Sequence, residues 1–381
     1  MIDTIDIKWL NMPEEVYYNL LAQLKNNSGK DGYKEYLSVS GNYYSVSFLP
    51  NHNKKSVRKG INPLFKIFLI KRRSGEGIFY SLTIAIKLLS LFDRIDGKTK
   101  TIPFDKLISV EEYYNREIDT FKSRYNIDLP LFVCFNQLNR VDFTMDIDLG
   151  VHEKQIYLDI ISKANPKYGR KKVKDCKFYV VKADKKHSYG EQTKERIKSI
   201  RINYRTMNFS IYDKFFDILR KGQAAQLNSS PDLRIEIQLF RNFFRENKYG
   251  KQMKNLSPQE IFKNPSFLFE CCNELYNDFF YNYLKDGDYY SMRKAKKIIE
   301  QSSYRKTTQE KLKETMRTIS RYGIGKAPMM TLTKRETFKG YINKLKELNI
   351  NPVPIKKDFV DEYHIEYLPN LKNYLENLFI S

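Results

Sequence analysis

Short segments that are continuously apolar, or that alternate apolar with polar residues, recur up to about Phe244 and constrain the fold more than any other feature. Both patterns are typical of β-strands, whose successive side chains point to opposite faces of a sheet. The segments are 43–50, 64–70, 79–89, 140–148, 177–183, 199–205, 208–212 and 233–240. Helical patterns interrupt them at 13–25, 110–125 and 153–164. This succession predicts an α+β fold in which an antiparallel β-sheet is flanked by helices.

The pattern becomes helical towards the carboxyl terminus. Two capping boxes, each a threonine followed three residues later by a glutamate, predict helices that open at Thr307 and Thr333. We expect the first of these helices to end at Gly323. A polar, lysine-rich segment marks a boundary near 245–260. The sequence therefore predicts two domains, which cover 1–245 and 246–381.

The chain is strongly basic. Its 381 residues include 67 Lys and Arg against 45 Asp and Glu, a formal net charge of +22. Such a balance attracts polyanions, so nucleic acid is the expected partner class. The chain opens without a cationic leader, and no apolar run approaches the roughly 20 residues that a membrane-spanning helix needs. We therefore expect a cytoplasmic protein with no membrane partner.

Polar side chains on three of the predicted strands suit chemistry on a phosphate ester. They are Asp142, Asp146 and Asp148 in the segment 140–148, Tyr212 and Lys214 at the end of 208–212, and Arg234 and Glu236 in 233–240. Each strand alone is compatible with the solvated face of an ordinary antiparallel sheet. Together, in so basic a protein, they favour metal-assisted phosphoryl transfer.

A tyrosine needs help to attack a phosphodiester, because its phenol has a pKa near 10 and the ester is anionic. Carboxylates that bind Mg²⁺ or Mn²⁺ would neutralise the phosphoryl oxygens, and a lysine would stabilise the developing charge. Asp142 and Asp146 lie roughly 13 Å apart along one strand, so they cannot easily share an ion. The carboxylate pairs that remain are Asp142 with Glu236 and Asp146 with Asp148.

Several short motifs occur in a characteristic order along most of the chain. They are Met1-Ile2-Asp3, Leu49-Pro50-x-His52, Phe65-Lys66-Ile67, Arg140-Val141-Asp142, Tyr212-x-Lys214, Arg234-Ile235-Glu236 and Ser320-Arg321-Tyr322. In their order and spacing the chain resembles the gene II replication proteins of filamentous phages and, more distantly, the rolling-circle initiators of small Gram-positive plasmids.

The resemblance implies a replication-initiator nuclease fold and assigns roles to several residues. Tyr212 would be the nicking nucleophile that forms a 5′-phosphotyrosyl bond, and Lys214 its phosphate partner. Asp142 and Glu236 would be the principal metal-binding acids. The His-hydrophobic-His metal motif of the wider superfamily is absent, although His52 lies in a family motif and could be a single ligand.

The resemblance also implies partners. Residues 1–245 would form the nicking-closing endonuclease domain, and the helical part, 246–381, would contribute to DNA binding. The DNA would be a supercoiled origin and the single strand displaced from it, handled together with a host helicase and polymerase.

Basic residues outside the catalytic set are expected to contact DNA. They are Arg140 and Arg234 on the strands, Arg170, Lys171 and Lys172 in the basic run 167–177, and Lys334 and Arg335 near a C-terminal helix start. The C-terminal helix could belong to a helix-turn-helix, but an ordinary packed helix pair has the same pattern.

Two other functions fit the same residues. A conjugative relaxase would use the same chemistry on a different element. A non-catalytic origin-binding or regulatory protein would carry Tyr212 as a surface strand residue and would not cleave DNA with any divalent ion.

Overall fold

The computed structural model describes residues 2–27, 33–50, 64–96, 102–164, 177–182, 197–220, 232–246, 251–279 and 284–374. The fold is α+β, as the sequence predicts, with a large antiparallel β-sheet and several helices. The strands are β1 Ile2–Leu10, β2 Tyr33–Ser40, β3 Tyr43–Pro50, β4 Phe65–Ser74, β5 Gly77–Lys87, β6 Gln137–Asp148, β7 Lys177–Lys182, β8 Ile197–Asn203, β9 Met207–Asp213, β10 Asp232–Phe240, β11 Tyr289–Tyr290 and β12 Tyr367–Leu368.

Helices connect these strands and dominate the C-terminal part. They are α1 Glu14–Asn26, α2 Leu88–Asp96, α3 Val110–Tyr125, α4 Val151–Lys163, α5 Lys214–Arg220, α6 Arg241–Glu246, α7 Pro258–Lys263, α8 Ser266–Phe279, α9 Met292–Glu300, α10 Lys306–Met330, α11 Arg335–Glu347 and α12 Lys357–Tyr363. Within the described ranges, no helix combines the length and apolar character that crossing a membrane requires.

The chain divides into two compact units. Unit 1 consists of Met1–Thr144 and Ile237–Cys272, and unit 2 of Met145–Glu236 and Asn273–Ser381. The chain passes from one unit to the other within β6, within β10 and within α8. These units differ from the predicted domains 1–245 and 246–381, because each is assembled from two separate stretches of sequence.

Unit 1 contains antiparallel strands, whose order in the sheet differs from their order in the sequence, with helices packed on one face. Its strands follow the order β2-β3-β4-β5-β1-β6, and each neighbouring pair is antiparallel. Alternate residues such as Ile5, Phe48 and Leu82 have no exposed surface. The ring of Phe65 contacts Tyr114 and Phe121 of α3. The alternation therefore directs one face of the strands into the core beneath the helices.

Unit 2 combines the remaining strands with the C-terminal helices. Strands β7, β8 and β9 are antiparallel neighbours, and β10 follows β9 in the strand order. Helices α9, α10 and α11 enclose an apolar cluster that consists of Ala295, Ile299, Leu312, Met316, Leu345 and Ile350. The helical character predicted for the C-terminal part is thus present in this unit.

The predicted helix end at Gly323 is a break between two helical stretches in the structure. Gly323 interrupts α10 with φ 77° and ψ 163°, and a second helical stretch follows it directly. A side chain there would approach the carbonyl oxygen of Lys163, because a Cβ built on Gly323 lies 2.9 Å from that atom. Glycine is required by both the backbone angle and the close approach.

The two predicted capping boxes are wrong. Helix α10 begins at Lys306 with Arg305 at the N-cap, and α11 begins at Arg335 with Lys334 at the N-cap. Both N-cap residues have extended backbones and lack a side-chain cap hydrogen bond. A real capping box occurs at Ser257, whose side chain accepts from the Glu260 N–H. Its proline at the first helical position was the signal that distinguishes it.

Candidate active site

Strand β9 positions Tyr212 within unit 2. Phe209 and Ile211 are buried on one face of β9, while Tyr212 is half-buried on the other. Lys214, two residues later, is the first residue of α5. Strand β10 is similar, because Leu233 and Ile235 are fully buried and Arg234 and Glu236 occupy the alternate positions. The sheet pattern thus explains why these polar side chains share a face.

The hydroxyl of Tyr212 is directed at a carboxylate. It donates a hydrogen bond of 3.0 Å to Oε2 of Glu236. Burial raises the pKa of Tyr212 well above its usual range, and the charge of Glu236 raises it further against the opposing effect of Arg234. The phenol therefore keeps its proton at neutral pH. Glu236 is the acceptor in place to remove that proton.

Two cations converge on Asp146. Arg234 donates from Nε to Oδ1 at 2.6 Å and from Nη2 to Oδ2 at 2.7 Å. Lys214 donates from Nζ to Oδ2 at 2.7 Å. Burial by itself raises the pKa of Asp146, but the hydrogen bonds and charges of Arg234 and Lys214 outweigh it and hold the pKa below its usual range. Asp146 is therefore an ionised anchor that fixes the orientation of both cations.

An ion pair beneath the sheet fixes the junction between β9 and α5. Asp213 lies between Tyr212 and Lys214 in the sequence and is 5% exposed. Its Oδ1 accepts from Nζ of Lys154 at 2.9 Å and from the backbone N–H of Phe216 at 3.1 Å. Lys198 is 3.6 Å from its other oxygen. The two residues that flank Asp213 are consequently held in place by buried charge.

Asp142 and its partners belong to unit 1. The Asp142 carboxylate is 2% exposed and accepts from Nε of Arg140 at 2.6 Å. Nη2 of Arg140 donates to its second oxygen, and Gln238 donates to that same oxygen at 3.5 Å. Arg140, which the sequence predicts as a DNA contact, thus neutralises Asp142. The predicted pair of Asp142 and Glu236 is divided between unit 1 and unit 2.

The carboxylates of Asp142 and Asp146, as they stand, do not fit a divalent ion. Both oxygens of Asp142 and both of Asp146 accept hydrogen bonds from arginine. In the part of the chain that the structure describes, no group of three or more His, Cys, Asp or Glu could hold a metal ion. Asp148, the last residue of β6, is exposed. His52 lies outside the described residues, so the predicted Mg²⁺ or Mn²⁺ stays a prediction.

The remaining predicted DNA contacts are only partly described. Arg170, Lys171 and Lys172 lie outside the described residues. Lys334 and Arg335 are exposed at the start of α11.

The ion pair of Lys154 with Asp213 was not predicted, and two residues of the polar cluster were predicted with different partners. Lys154 received no role from the sequence patterns, and the signal for it was a lysine inside the apolar helical segment 153–164. Glu236 and Asp146 lie in a polar cluster, as the strand alternation predicts. Their partners in that cluster are Tyr212 for Glu236 and Arg234 for Asp146, where a metal ion was expected.

Comparisons with known proteins add no assignment. No protein-family model matches this chain, and none of the curated proteins matches it. The di-domain ARO/CYC StfQ from the steffimycin biosynthetic pathway is 10% identical with a TM-score of 0.15, over 70% of this chain and 99% of that chain. DynU16, from the dynemicin biosynthetic locus, is 7% identical with a TM-score of 0.17, over 71% and 99%. Neither similarity is close enough to carry an argument about fold or function.

Proposed function

We propose that this protein is a rolling-circle replication initiator, which nicks one strand of DNA at an origin through Tyr212 and later rejoins it. The observation that carries the proposal is the 3.0 Å hydrogen bond from Tyr212 to Glu236, in the same unit as Lys214 and Arg234. A protonated phenol, an acceptor for its proton and two cations are the groups that attack on an anionic phosphodiester requires.

The proposed reaction runs as an in-line displacement. Glu236 takes the proton from Tyr212 as the phenolic oxygen forms a bond to phosphorus and the bond to the 3′ oxygen breaks. The leaving 3′ oxygen takes up a proton from solvent and becomes a 3′-hydroxyl for a polymerase. Lys214 and Arg234 supply positive charge for the phosphoryl oxygens. Rejoining is the reverse attack of a 3′-hydroxyl on the 5′-phosphotyrosyl bond.

The setting of the reaction belongs to the same proposal. The substrate would be a supercoiled origin in the cytoplasm of a host cell, and a host helicase and polymerase would extend the new 3′ end. The net charge of +22 supports a polyanionic substrate. No step of the proposed mechanism passes through a metal ion, because arginines engage the carboxylates of Asp142 and Asp146.

The test compares the wild type with Tyr212→Phe on negatively supercoiled DNA of the element that encodes the protein. Each is incubated with Mg²⁺, with Mn²⁺ and with a chelator, and nicked circles are examined for protein bound at the 5′ end. The proposal expects site-specific nicking by the wild type alone. Equal nicking by both proteins would assign the nucleophile to another residue.

Of two rival functions, one is distinguished by the element that encodes the protein and the other by the same assay. A conjugative relaxase would nick in the same way but on an element that encodes transfer partners. A non-catalytic origin-binding protein would bind the DNA tightly, and neither the wild type nor Tyr212→Phe would cleave it under any ion condition.

A further inference from the structure

The sheet of unit 1 has a second face that is chemically unlike its core face. This open face is defined by the strand positions that alternate with those of the core face. They are Thr4, Asp6 and Lys8 in β1, Tyr36, Ser38 and Ser40 in β2, Tyr43, Ser45 and Ser47 in β3, Lys66, Phe68, Ile70 and Arg72 in β4, and Phe79, Ser81, Thr83, Ala85 and Lys87 in β5. The short side chains Ser45, Ser81, Thr83 and Ala85 are buried among their neighbours, so the larger side chains supply the accessible surface. The ring contacts from α1 and α3 reach the other face, at Tyr80 and Phe65.

The strand register brings aromatic and cationic side chains of the open face together. Tyr43 of β3 lies directly opposite Arg72 of β4, and Arg72 lies opposite Phe79 of β5. Tyr43 is 39% exposed, Phe79 is 36% exposed and Arg72 is also exposed. Neighbouring strands are about 4.8 Å apart, so these three side chains form one continuous row.

A second ring on the open face stands between short side chains. Phe68 lies opposite Ser47 on one side and Thr83 on the other. Ser47 and Phe68 are half-buried, and Thr83 is 6% exposed. A phenyl ring between two small hydroxyl residues keeps part of its surface accessible and has hydrogen-bonding groups on both sides. Such a ring is suited to contact with a polar, planar group.

The open face has an excess of positive charge. Lys66, Arg72 and Lys87 are exposed on it, and Lys8 is half-buried. Among the strand positions that the structure describes, the acids of this face are Asp6 and, from β6, Asp142, which is already paired with Arg140.

Cations near the face affect the pKa of two of its side chains, and at Lys8 they repel one another. Burial lowers the pKa of Lys8, and repulsion from Arg241 and Arg72 lowers it further. Burial raises the pKa of Asp6 against the opposing effects of Arg140 and Lys66. Cations that repel one another in this way would be stabilised by an incoming anion.

We propose that the open face binds single-stranded DNA. Unpaired bases would stack on Tyr43, Phe68 and Phe79, and backbone phosphates would contact Lys66 and Arg72. A duplex keeps its base faces stacked inside the helix, so it would leave the exposed rings without partners. Binding needs no chemistry at Tyr212, although identifying the strand as the one displaced by nicking rests on the proposed function.

The register supplies a matched control. Arg72 pairs with Phe79 on the open face, and the next pair, Arg73 with Ile78, lies on the opposite face. All four side chains are exposed. The test compares Arg72→Ala/Phe79→Ala with Arg73→Ala/Ile78→Ala, both in full-length Tyr212→Phe protein so that no cleavage occurs. A labelled oligothymidine of about 15 nucleotides is titrated by fluorescence anisotropy over a series of salt concentrations.

The open-face variant should bind the oligothymidine about tenfold or more weakly, since one stacked base contributes about that much. The slope of log affinity against log salt should fall by about 0.7 for the lost phosphate contact. The control should stay within about twofold of the parent. Thermal unfolding of each variant confirms that the fold is intact.

Equal losses in both variants, or none in either, would overturn the proposal. A duplex that binds as tightly as the single strand and is weakened in the same way would overturn it too. Nicking by wild-type protein is measured separately. If the wild type does not nick but the variants differ as expected, the proposed function is refuted and the single-strand binding by the open face is retained. If the wild type nicks but the variants do not differ, the proposed function is retained and single-strand binding by the open face is refuted.

Discussion

At the scale of single residues, the hydrogen bond from Tyr212 to Glu236 makes Glu236 the proton acceptor of the proposed reaction, and substitution tests that role against a role as metal ligand. Replacing Glu236 with glutamine keeps the shape but removes the acceptor, so single-turnover nicking should slow by about 10²- to 10⁴-fold at neutral pH. The loss of negative charge also lowers the pKa of Tyr212, since the nearby charge of Glu236 raises it in the wild type.

The pH profile is the check on this role. The Glu236→Gln rate should keep increasing with pH through the alkaline range as the phenolate forms without a base, and the deficit should narrow, although burial still holds the pKa of Tyr212 above its ordinary value. A variant that instead lost activity equally at every pH, and recovered with higher Mn²⁺, would indicate that Glu236 binds a metal.

The anchoring role of Asp146 predicts a pH-dependent contribution to stability. The pKa of Asp146 is lower in the folded protein than in the unfolded chain. Its contribution to the free energy of unfolding is therefore fully present at pH values above its pKa in the unfolded chain, about 3.9, and is lost as the pH falls through its pKa in the folded protein. The free energy of unfolding of Asp146→Asn should therefore lie below that of the wild type at pH 7. Denaturant titrations below about pH 4 should show the difference shrinking. A difference that stayed constant with pH would contradict the ionised anchor.

Residue patterns predicted which side chains share a face but not which ones bind each other. The alternation in β9 and β10 placed Tyr212 with Lys214 and Arg234 with Glu236, and all four lie in the cluster around Asp146 and Glu236. The alternation could not show that Arg234 and Lys214 both donate hydrogen bonds to Asp146, because these contacts depend on which strands are neighbours and on their register. Pairing between distant segments leaves no local signal in the sequence.

At the scale of elements, the buried ion pair between Lys154 and Asp213 couples α4 to the junction of β9 and α5. Lys154→Met leaves the Asp213 carboxylate without its closest cation, and Lys198 is more distant. We expect a loss of about 3–5 kcal/mol in the free energy of unfolding, measured by chemical denaturation. Lys154→Met/Asp213→Asn should recover part of that loss, because the uncompensated charge is gone. No recovery would mean that Lys154 acts through packing alone.

The break in α10 gives a prediction with an internal control. Gly323→Ala places a Cβ against the Lys163 carbonyl oxygen at a positive φ, so it should destabilise the protein by at least about 1–2 kcal/mol. Gly340 lies within α11, and the space that an added methyl group would occupy there is open. Gly340→Ala should therefore be neutral or stabilising by up to about 1 kcal/mol. Equal effects of the two changes on the thermal midpoint would contradict the strain at Gly323.

Some elements were predicted closely from the sequence and others were missed. The segment 43–50 coincides with β3, and Gly323 marked a helix interruption. The strands β1 and β2 were not predicted. In β2, Leu37 and Val39 are 58% and 64% exposed, so the apolar residues of this strand do not mark a face that packs against the core. The helix starts were misplaced because extended backbone angles at Arg305 and Lys334, rather than a capping side chain, set where each helix begins.

At the scale of the whole molecule, the net charge of +22 should dominate the affinity of the proposed DNA binding. Affinity for DNA of arbitrary sequence should fall about 10³-fold or more between about 50 and 200 mM salt if roughly six or more phosphates are contacted. Filter binding over that range measures the slope. A shallow slope would mean that most of the basic residues do not face the nucleic acid.

Composition predicts nucleic acid as the ligand class, and this stays a prediction. The division into units had no sequence signal. The boundary near 245–260 was inferred from a change in periodicity, yet the chain crosses between units inside β6 and β10. A strand whose first half belongs to one core and second half to another keeps the same alternation throughout. Only the long-range packing of each half separates them.

In the proposed reaction, the hydrogen bonds from Arg234 and Lys214 to Asp146 would also affect the kinetics of turnover. Their side chains are already ordered, so a phosphate that arrives at them does not bear the roughly 0.5–1.5 kcal/mol needed to immobilise each flexible side chain. Such a phosphate would share the two cations with the Asp146 carboxylate, because an ammonium has three N–H donors and a guanidinium five. The charge of Asp146 then offsets part of the attraction, so the net gain on phosphate binding would be modest and dissociation correspondingly fast. A protein that cuts a strand, holds it and later gives it back would benefit from reversible capture more than from tight capture.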